Sequence, residues 1–104
     1  MFTTIRRYEG VDQARVSELV KKVDETLIPS LEQLPGFSGY YLIDGGNGVL
    51  TSIGVFDTAE HADKSSHVAA DWVREHKLET ALPNAPRVTT GEVVAQKTLE
   101  LVQA

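Results

Sequence analysis

The segment from His61 to His76 carries the side chains of this sequence that are best suited to chemistry. His61, Ser65, Trp72 and His76 recur at steps of four and seven residues. On a helix this spacing places them along one flank. An imidazole can act as a general base near neutral pH, and an indole can line a pocket. We therefore take His76 as the candidate base and Trp72 as a candidate pocket-lining residue, with His61 and Ser65 beside them in the candidate binding site.

Each of these residues also has a purely structural interpretation. Trp72 suits a small core as a large aromatic residue whose N–H finds a nearby acceptor. His76 suits a helix C-terminus, where a cation complements the helix dipole, and His61 suits an exposed first turn. His61, His67 and His76 are six and nine residues apart, so they do not form the i, i+4 pair that a helical metal site uses. No metal site is predicted.

Two strand-like segments offer groups that could contact an anionic substrate. Arg6 and Arg7 point to opposite faces of their strand; one can meet an anion, while the other makes a salt bridge or contacts solvent. Tyr40 and Tyr41 also point to opposite faces. The inward hydroxyl could donate a hydrogen bond to a substrate oxygen, with core packing as the alternative. The spacing leaves open which arginine faces a pocket and which tyrosine faces the helices.

The elements that must position these groups follow from the apolar periodicity. Period-two alternation is typical of strands, and apolar steps of three and four residues are typical of an amphipathic helix. The predicted order is strand 2–8, a helical stretch 16–34 in two pieces, strands 37–44 and 49–56, a helix from 58 to about 77, and strand 87–97. In the second strand, alternation groups Phe37 with Tyr41 on one face and leaves Tyr40 on the other.

Capping and turn residues mark the predicted boundaries. Asp12 suits the N-cap of the first helix, and Pro29 should break that helix, which could restart at Ser30 with capping-box spacing. Asp57 is the predicted N-cap of the last helix. Residues 44–48, Asp-Gly-Gly-Asn-Gly, are typical of a hairpin turn.

This order predicts a single α+β domain over residues 1–104 with a ferredoxin-like β-α(α)-β-β-α-β arrangement. Helices would cover one face of a four-stranded antiparallel sheet. The other face would be apolar, and such a face is usually covered in a soluble protein. We therefore expect a homodimer in which two sheets pack face to face. Residues 98–104 are expected to extend the last strand or to form a tail.

The sequence resembles the antibiotic biosynthesis monooxygenase-like family in three segments. These are Pro-Gly-Phe-Ser-Gly-Tyr at 35–40, the glycine-rich hairpin, and Val-Phe-Asp-Thr at 55–58 leading into the helix that carries Trp72. The resemblance spans roughly residues 1–97. It implies a dimeric α+β barrel with a pocket between the sheet and the helices of each subunit, to which Phe37 would contribute as a binding residue.

The resemblance also implies three candidate functions. The first is a cofactor-independent monooxygenase acting on a small electron-rich aromatic substrate, with His76 as base and Tyr40 or Tyr41 and Arg6 steadying negative charge. The second is a non-catalytic small-molecule-binding or stress-related dimer. The third is haem binding or degradation. Haem-degrading relatives place an asparagine on the first strand, and this sequence has none between Met1 and Glu9. No cofactor is therefore expected.

Composition excludes several other classes. The chain has no cysteine, so thiol catalysis, disulfides, zinc–thiolate sites and iron–sulfur ligation are excluded. Its net charge of -5 disfavours nucleic-acid binding, which needs a basic footprint. No apolar run reaches the roughly 18 residues of a membrane span, and the N-terminal segment lacks the apolar stretch of a signal peptide. We expect a cytoplasmic protein.

Overall fold

The structure, a computed structural model, describes residues 1–97. Its strands and helices are β1 (Phe2–Tyr8), α1 (Val16–Lys22), α2 (Ile28–Glu32), β2 (Phe37–Gly46), β3 (Val49–Phe56), α3 (Ala59–Glu75) and β4 (Arg87–Glu92). The strands form one antiparallel sheet in the order β2-β3-β1-β4. Within these residues the predicted ferredoxin-like α+β order is confirmed. The last strand ends at Glu92 rather than at residue 97, and the prediction for residues 98–104 falls outside the described part of the chain.

The first helical stretch is interrupted before Pro29 rather than at it. A π-helical turn, Val23–Leu27, joins α1 to α2, and the amide of Ile28 donates to the carbonyl of Val23. Pro29 lies in the first turn of α2, where its missing N–H is tolerated. The predicted capping box at Ser30 is wrong, because the Ser30 hydroxyl donates to the carbonyl of Thr26 at 3.0 Å.

The N-termini of the helical segments confirm one predicted cap and correct another. Asp12 caps the 3₁₀ turn Gln13–Arg15 that precedes α1, and its carboxylate accepts from the amide of Ala14 at 3.0 Å. Thr58, not Asp57, caps α3, since its hydroxyl accepts from the amide of His61 at 3.2 Å. The Asp57 carboxylate instead contacts the His61 imidazole.

A β-bulge at Ser38 changes the face on which Phe37 lies. Phe37 pairs with Phe56, while Gly39 already pairs with Val55, so one extra residue is accommodated in β2. The extra residue turns Phe37 towards the helices, the same side as Tyr40, and its ring meets Phe56 edge-on with centroids 5.7 Å apart. The prediction that Phe37 shares a face with Tyr41 is therefore wrong.

The turn before β2 depends on a glycine. Gly36 has φ +74°, and a Cβ built there would lie 1.9 Å from the Asp57 carboxylate and 2.6 Å from the His61 ring. We expect Gly36→Ala to lower the free energy of unfolding by about 2–4 kcal/mol, from the left-handed backbone together with the clash. Denaturant unfolding would measure this loss. Gly46→Ala is the matched control, because Gly46 has a similar φ of +75° with open space around it. Equal losses in the two variants would contradict the role given to the clash.

Candidate functional site

A cavity of about 40 Å³ lies between the sheet and the helices. Its floor comes from alternate residues of β1, β2 and β3, which point towards the helices because side chains alternate along a strand. Its roof comes from the apolar stripe of α1, the π turn and α2, together with one flank of α3. The residues that line it include Arg6, Tyr8, Tyr40, Leu42, Leu50, Ser52, Leu19, Val23, Leu27, Leu31, Ser65 and Trp72.

The cavity adjoins a larger and more open cleft of about 370 Å³. This outer cleft lies between α3, the β1 side of the sheet and the segment 79–86. Five residues line both spaces: Arg6, Tyr8, Ala69, Val73 and Leu82. Arg6 and Tyr8 therefore stand where the inner cavity meets the outer cleft.

Arg6 is a buried cation at this junction. Arg6 is 8% exposed, and its Nη2 donates to the Ser66 hydroxyl at 2.5 Å. Within residues 1–97 it makes no ion pair with a carboxylate. Arg7, the next residue, is exposed on the opposite face and pairs with Glu9 at 3.1 Å. The structure thus assigns the inward position to Arg6, which the sequence left open.

Two tyrosine hydroxyls lie close to Arg6 on the same face of the sheet. Burial raises the pKa of Tyr40 to about 12, although a hydrogen bond with the Ser52 side chain acts in the opposite direction. Burial also raises the pKa of Tyr8, and the positive charge of Arg6 offsets part of that rise. Both phenols are therefore neutral near pH 7 and can donate hydrogen bonds to an oxygen in the cavity.

The raised pKa of Tyr40 predicts a loss of stability at alkaline pH. Between an unfolded-state pKa of about 10 and the folded-state pKa of about 12, the unfolded chain releases a proton that the folded chain keeps. The free energy of unfolding should therefore fall by about 2–3 kcal/mol as the pH rises across this window. Denaturant unfolding at a series of pH values would measure it. Tyr40→Phe should reduce this dependence, and the part that remains comes from Tyr8, whose pKa burial also raises.

Trp72 forms one wall of the cavity and its N–H is already bonded. The residue is 7% exposed, and Nε1 donates to the Thr26 hydroxyl at 2.7 Å. Thr26 in turn donates to the carbonyl of Lys22 at 2.6 Å, so the π turn holds the acceptor in place. Because the N–H is occupied, Trp72 offers a ligand the surface of its ring rather than a hydrogen bond.

The predicted site residues divide between the cavity and other parts of the molecule. Arg6, Tyr40, Trp72 and Ser65 line the cavity together; the Ser65 hydroxyl donates to the carbonyl of Ala62. Tyr41 is 62% exposed on the outer face of the sheet.

The other predicted residues lie away from the cavity. His76 caps the C-terminal end of α3, where its ring packs against Trp72 with centroids 5.5 Å apart, and it lines neither the cavity nor the cleft. His61 is bonded to Asp57, with Nδ1 and Oδ1 2.6 Å apart, and this contact lowers the pKa of Asp57. Phe37 packs on Phe56 on the helix side of the sheet, where β2 begins and β3 ends.

Three polar residues around Arg6 were not among the predicted site residues: Tyr8, Ser52 and Ser66. Tyr8 lies two residues after Arg6 and therefore shares its face of the strand. The alternation of β1 could thus have predicted Tyr8 as a site residue. Ser52 and Ser66 reach the site only through the pairing of β3 with β1 and the packing of α3. No local pattern marks them.

No cluster of three or more metal-binding side chains occurs among residues 1–97. In the same residues, no helix has the length and apolar character needed to cross a membrane.

The antiparallel sheet, the helices on one of its faces and the cavity between them define a ferredoxin-like α+β protein. More particularly, the chain has the fold of the antibiotic biosynthesis monooxygenases, as the sequence resemblance predicted. A monooxygenase from Streptomyces coelicolor, solved in complex with nanaomycin D, superposes with a TM-score of 0.72 at 14% identity, covering 95% of this chain and 92% of that one.

Two further structures show the same likeness. A protein of unknown function from Nitrosomonas europaea has a TM-score of 0.74 at 15% identity, with 95% and 94% of the two chains covered. A variant of MhuD, solved with two manganese protoporphyrin IX molecules per active site, has a TM-score of 0.73 at 19% identity, with 94% and 99% covered. No protein-family model matches the sequence. No curated protein matches it either.

Proposed function

We propose that the chain is a cofactor-independent monooxygenase that acts on a small electron-rich aromatic substrate, such as a quinol. The observation that carries this proposal is Arg6, a buried cation that has no carboxylate partner among residues 1–97 and that faces a cavity walled by Trp72. A buried charge is costly unless it is paired. A phenolate oxygen bound at this junction would supply the missing negative charge.

The apolar cavity and its few polar groups suit this chemistry. Trp72 would stack on the substrate ring, and the leucine and valine side chains would exclude water around it. Arg6 would favour the ionised form of the substrate, while the neutral hydroxyls of Tyr8 and Tyr40 would donate to its oxygen atoms. The inner cavity of about 40 Å³ is smaller than the roughly 150 Å³ that holds a benzene-sized guest, so the substrate ring would extend past Arg6 into the outer cleft.

The reaction needs no bound redox group, because the phenolate is itself the reductant. The phenolate gives electrons to O₂, a C–O bond forms at a ring carbon bearing hydrogen, and the resulting peroxide loses hydroxide to leave a quinone. One quinol and one O₂ thus yield one hydroxyquinone and one water. The chain's contribution is to bind, orient and ionise the substrate in a dry site.

Oxygen uptake with a series of quinols tests this proposal. We expect saturable uptake above the rate of autoxidation, matched by formation of the hydroxyquinone in equal amount and without accumulation of hydrogen peroxide. Tyr41→Phe serves as a control that should keep this activity, since Tyr41 lies on the other face of the sheet. Rates equal to those in buffer for every quinol tested would overturn the proposal.

A non-catalytic binding protein is the second candidate, and the position of the histidines favours it. Neither His61 nor His76 lines the cavity, so no imidazole is placed to accept a proton from the bound molecule. This candidate predicts saturable binding of quinols, measured by quenching of Trp72 fluorescence, without uptake of oxygen.

Haem does not fit the residues that are present. The inner cavity of about 40 Å³ is far smaller than a porphyrin, and among residues 1–97 no histidine side chain lines this cavity or the outer cleft. A haem titration followed at the main absorption band should show no saturable shift.

We also propose that the chain forms a homodimer through the outer face of its sheet. Tyr41 and Ile43 are 62% and 47% exposed there, beside Ile5, Ile53 and Val55. Burying this patch against a second copy would remove apolar surface from water. Sedimentation should give twice the subunit mass at micromolar concentration, and Tyr41→Lys should shift the protein towards the subunit mass. A wild-type protein that sediments as one subunit would contradict the dimer.

A further inference from the structure

A reaction that starts from a phenolate needs a group that accepts the phenol's proton. In the described part of the chain, the titratable side chains that line the cavity and the cleft are Arg6, Tyr8, Tyr40, Arg74 and Glu79. Arginine has no acceptor atom, and the two buried tyrosines keep their own protons near pH 7. The carboxylate of Glu79 is therefore the one group of this set with acceptor atoms that can receive the phenol's proton.

We propose that Glu79 is the proton acceptor for the substrate, an inference that rests on the proposed function. Glu79 lies just beyond α3, in the segment that borders the outer cleft, and it shares that lining with Arg6 and Tyr8. It is exposed, and within residues 1–97 its carboxylate has no hydrogen bond or salt bridge that would occupy it.

The backbone around Glu79 is held in place on both sides. Leu78 and Ala81 are both fully buried, and the carbonyl of Ala81 accepts from the amide of Asp12 at 3.2 Å. The hydroxyl of Thr80 accepts from Arg15 Nη1 at 2.6 Å. Glu79 thus has an exposed side chain on a backbone segment that is anchored at both neighbouring positions. This segment borders the cleft, and the carboxylate stays in contact with water.

The protons and charges of the proposed step balance. The phenol O–H gives its proton to the Glu79 carboxylate, and the phenolate that remains pairs with Arg6. After the phenolate has reacted with O₂, the peroxide releases hydroxide as its O–O bond breaks. The protonated Glu79 then returns its proton to that hydroxide, which gives water and restores the carboxylate. Arg6 and Glu79 therefore divide the work, one holding the anion and the other the proton.

The pH dependence of oxygen uptake by the full chain tests this assignment. Glu79→Gln keeps the shape of the side chain but cannot accept the proton, so kcat with a quinol should fall by about 100-fold. We expect kcat of the wild type to decline at acid pH, and this decline should be absent from Glu79→Gln. Glu75→Gln is the matched control, because Glu75 is an exposed glutamate of α3 that lines neither space.

Chemical rescue separates proton transfer from a structural effect. In Glu79→Gly, added formate should restore at least a tenth of the wild-type kcat, while formate should leave wild type and Glu75→Gln unchanged. A Glu79→Gln enzyme with wild-type kcat and pH profile would overturn the assignment and leave the proposed monooxygenase standing. A slow variant that keeps the acid decline and that formate does not rescue would also overturn it. Wild-type protein without turnover would remove both proposals together.

Discussion

Replacing Arg6 with methionine is expected to weaken the binding of quinol anions by about 10- to 100-fold, which corresponds to the loss of one charge-assisted hydrogen bond. The same change should leave the free energy of unfolding unchanged or raise it by about 1 kcal/mol. The guanidinium is buried without a carboxylate partner in the described residues, so the folded protein bears a desolvation cost that methionine removes. Binding and stability should therefore respond in opposite directions.

Calorimetric titration with a quinol and denaturant unfolding of the same preparations would measure the two effects. Arg7→Met is the matched control, since Arg7 lies on the outer face and pairs with the exposed Glu9. It should leave the affinity unchanged. An Arg6→Met variant that loses 2 kcal/mol of stability or more and binds as wild type does would show that Arg6 supports the fold, not the ligand.

Truncating Trp72 to alanine should cost about 3–5 kcal/mol of stability, the range for removing a large buried aromatic side chain from a core. Trp72 is 7% exposed and packs among the apolar residues of α1, the π turn and α2. Thermal and denaturant unfolding would measure the loss. For a domain of this size, the loss is a large fraction of a total stability of about 5–15 kcal/mol.

Conservative variants keep the role of the indole testable in a folded protein. Thr26→Val removes the acceptor of the Trp72 N–H and should cost about 1–3 kcal/mol, because a buried donor loses its partner. Thr26→Ser should restore most of that loss. If the ring surface of Trp72 is what binds substrate, Trp72→Phe should raise KM by at least 3-fold and change kcat less. A Trp72→Phe protein with unchanged KM would contradict stacking.

The sequence predicted the elements better than the contacts between them. Alternation in β1 and the apolar stripe of the first helical stretch were enough to place strands and helices, because each pattern spans several residues and reflects burial directly. The pattern of α3 placed Trp72 and Ser65 on one flank of the helix, and both are buried there. Of the two adjacent arginines, only the packing of α3 on one face of the sheet decided that Arg6 faces inward.

Local rules were wrong where a nearby residue offered a competing contact. Asp57 had the sequence features of an N-cap, but it contacts the His61 ring, and the neighbouring Thr58 caps the helix. Ser30 had a capping-box spacing, yet the helical backbone continues through it and its hydroxyl bonds backwards to Thr26. Such choices depend on differences of about 1 kcal/mol, which spacing alone does not resolve.

The bulge at Ser38 lets Phe37 and Tyr40, which are close in β2, have different roles on the same face of the sheet. In a regular strand Phe37 and Tyr40 would lie on opposite faces, since they are three residues apart. The inserted residue brings both to the same side, where Phe37 anchors the end of the sheet against Phe56 and Tyr40 borders the cavity. We therefore expect substitutions at position 40 to change the lining of the cavity. The contact between Phe37 and Phe56, which secures this end of the strand, should stay intact.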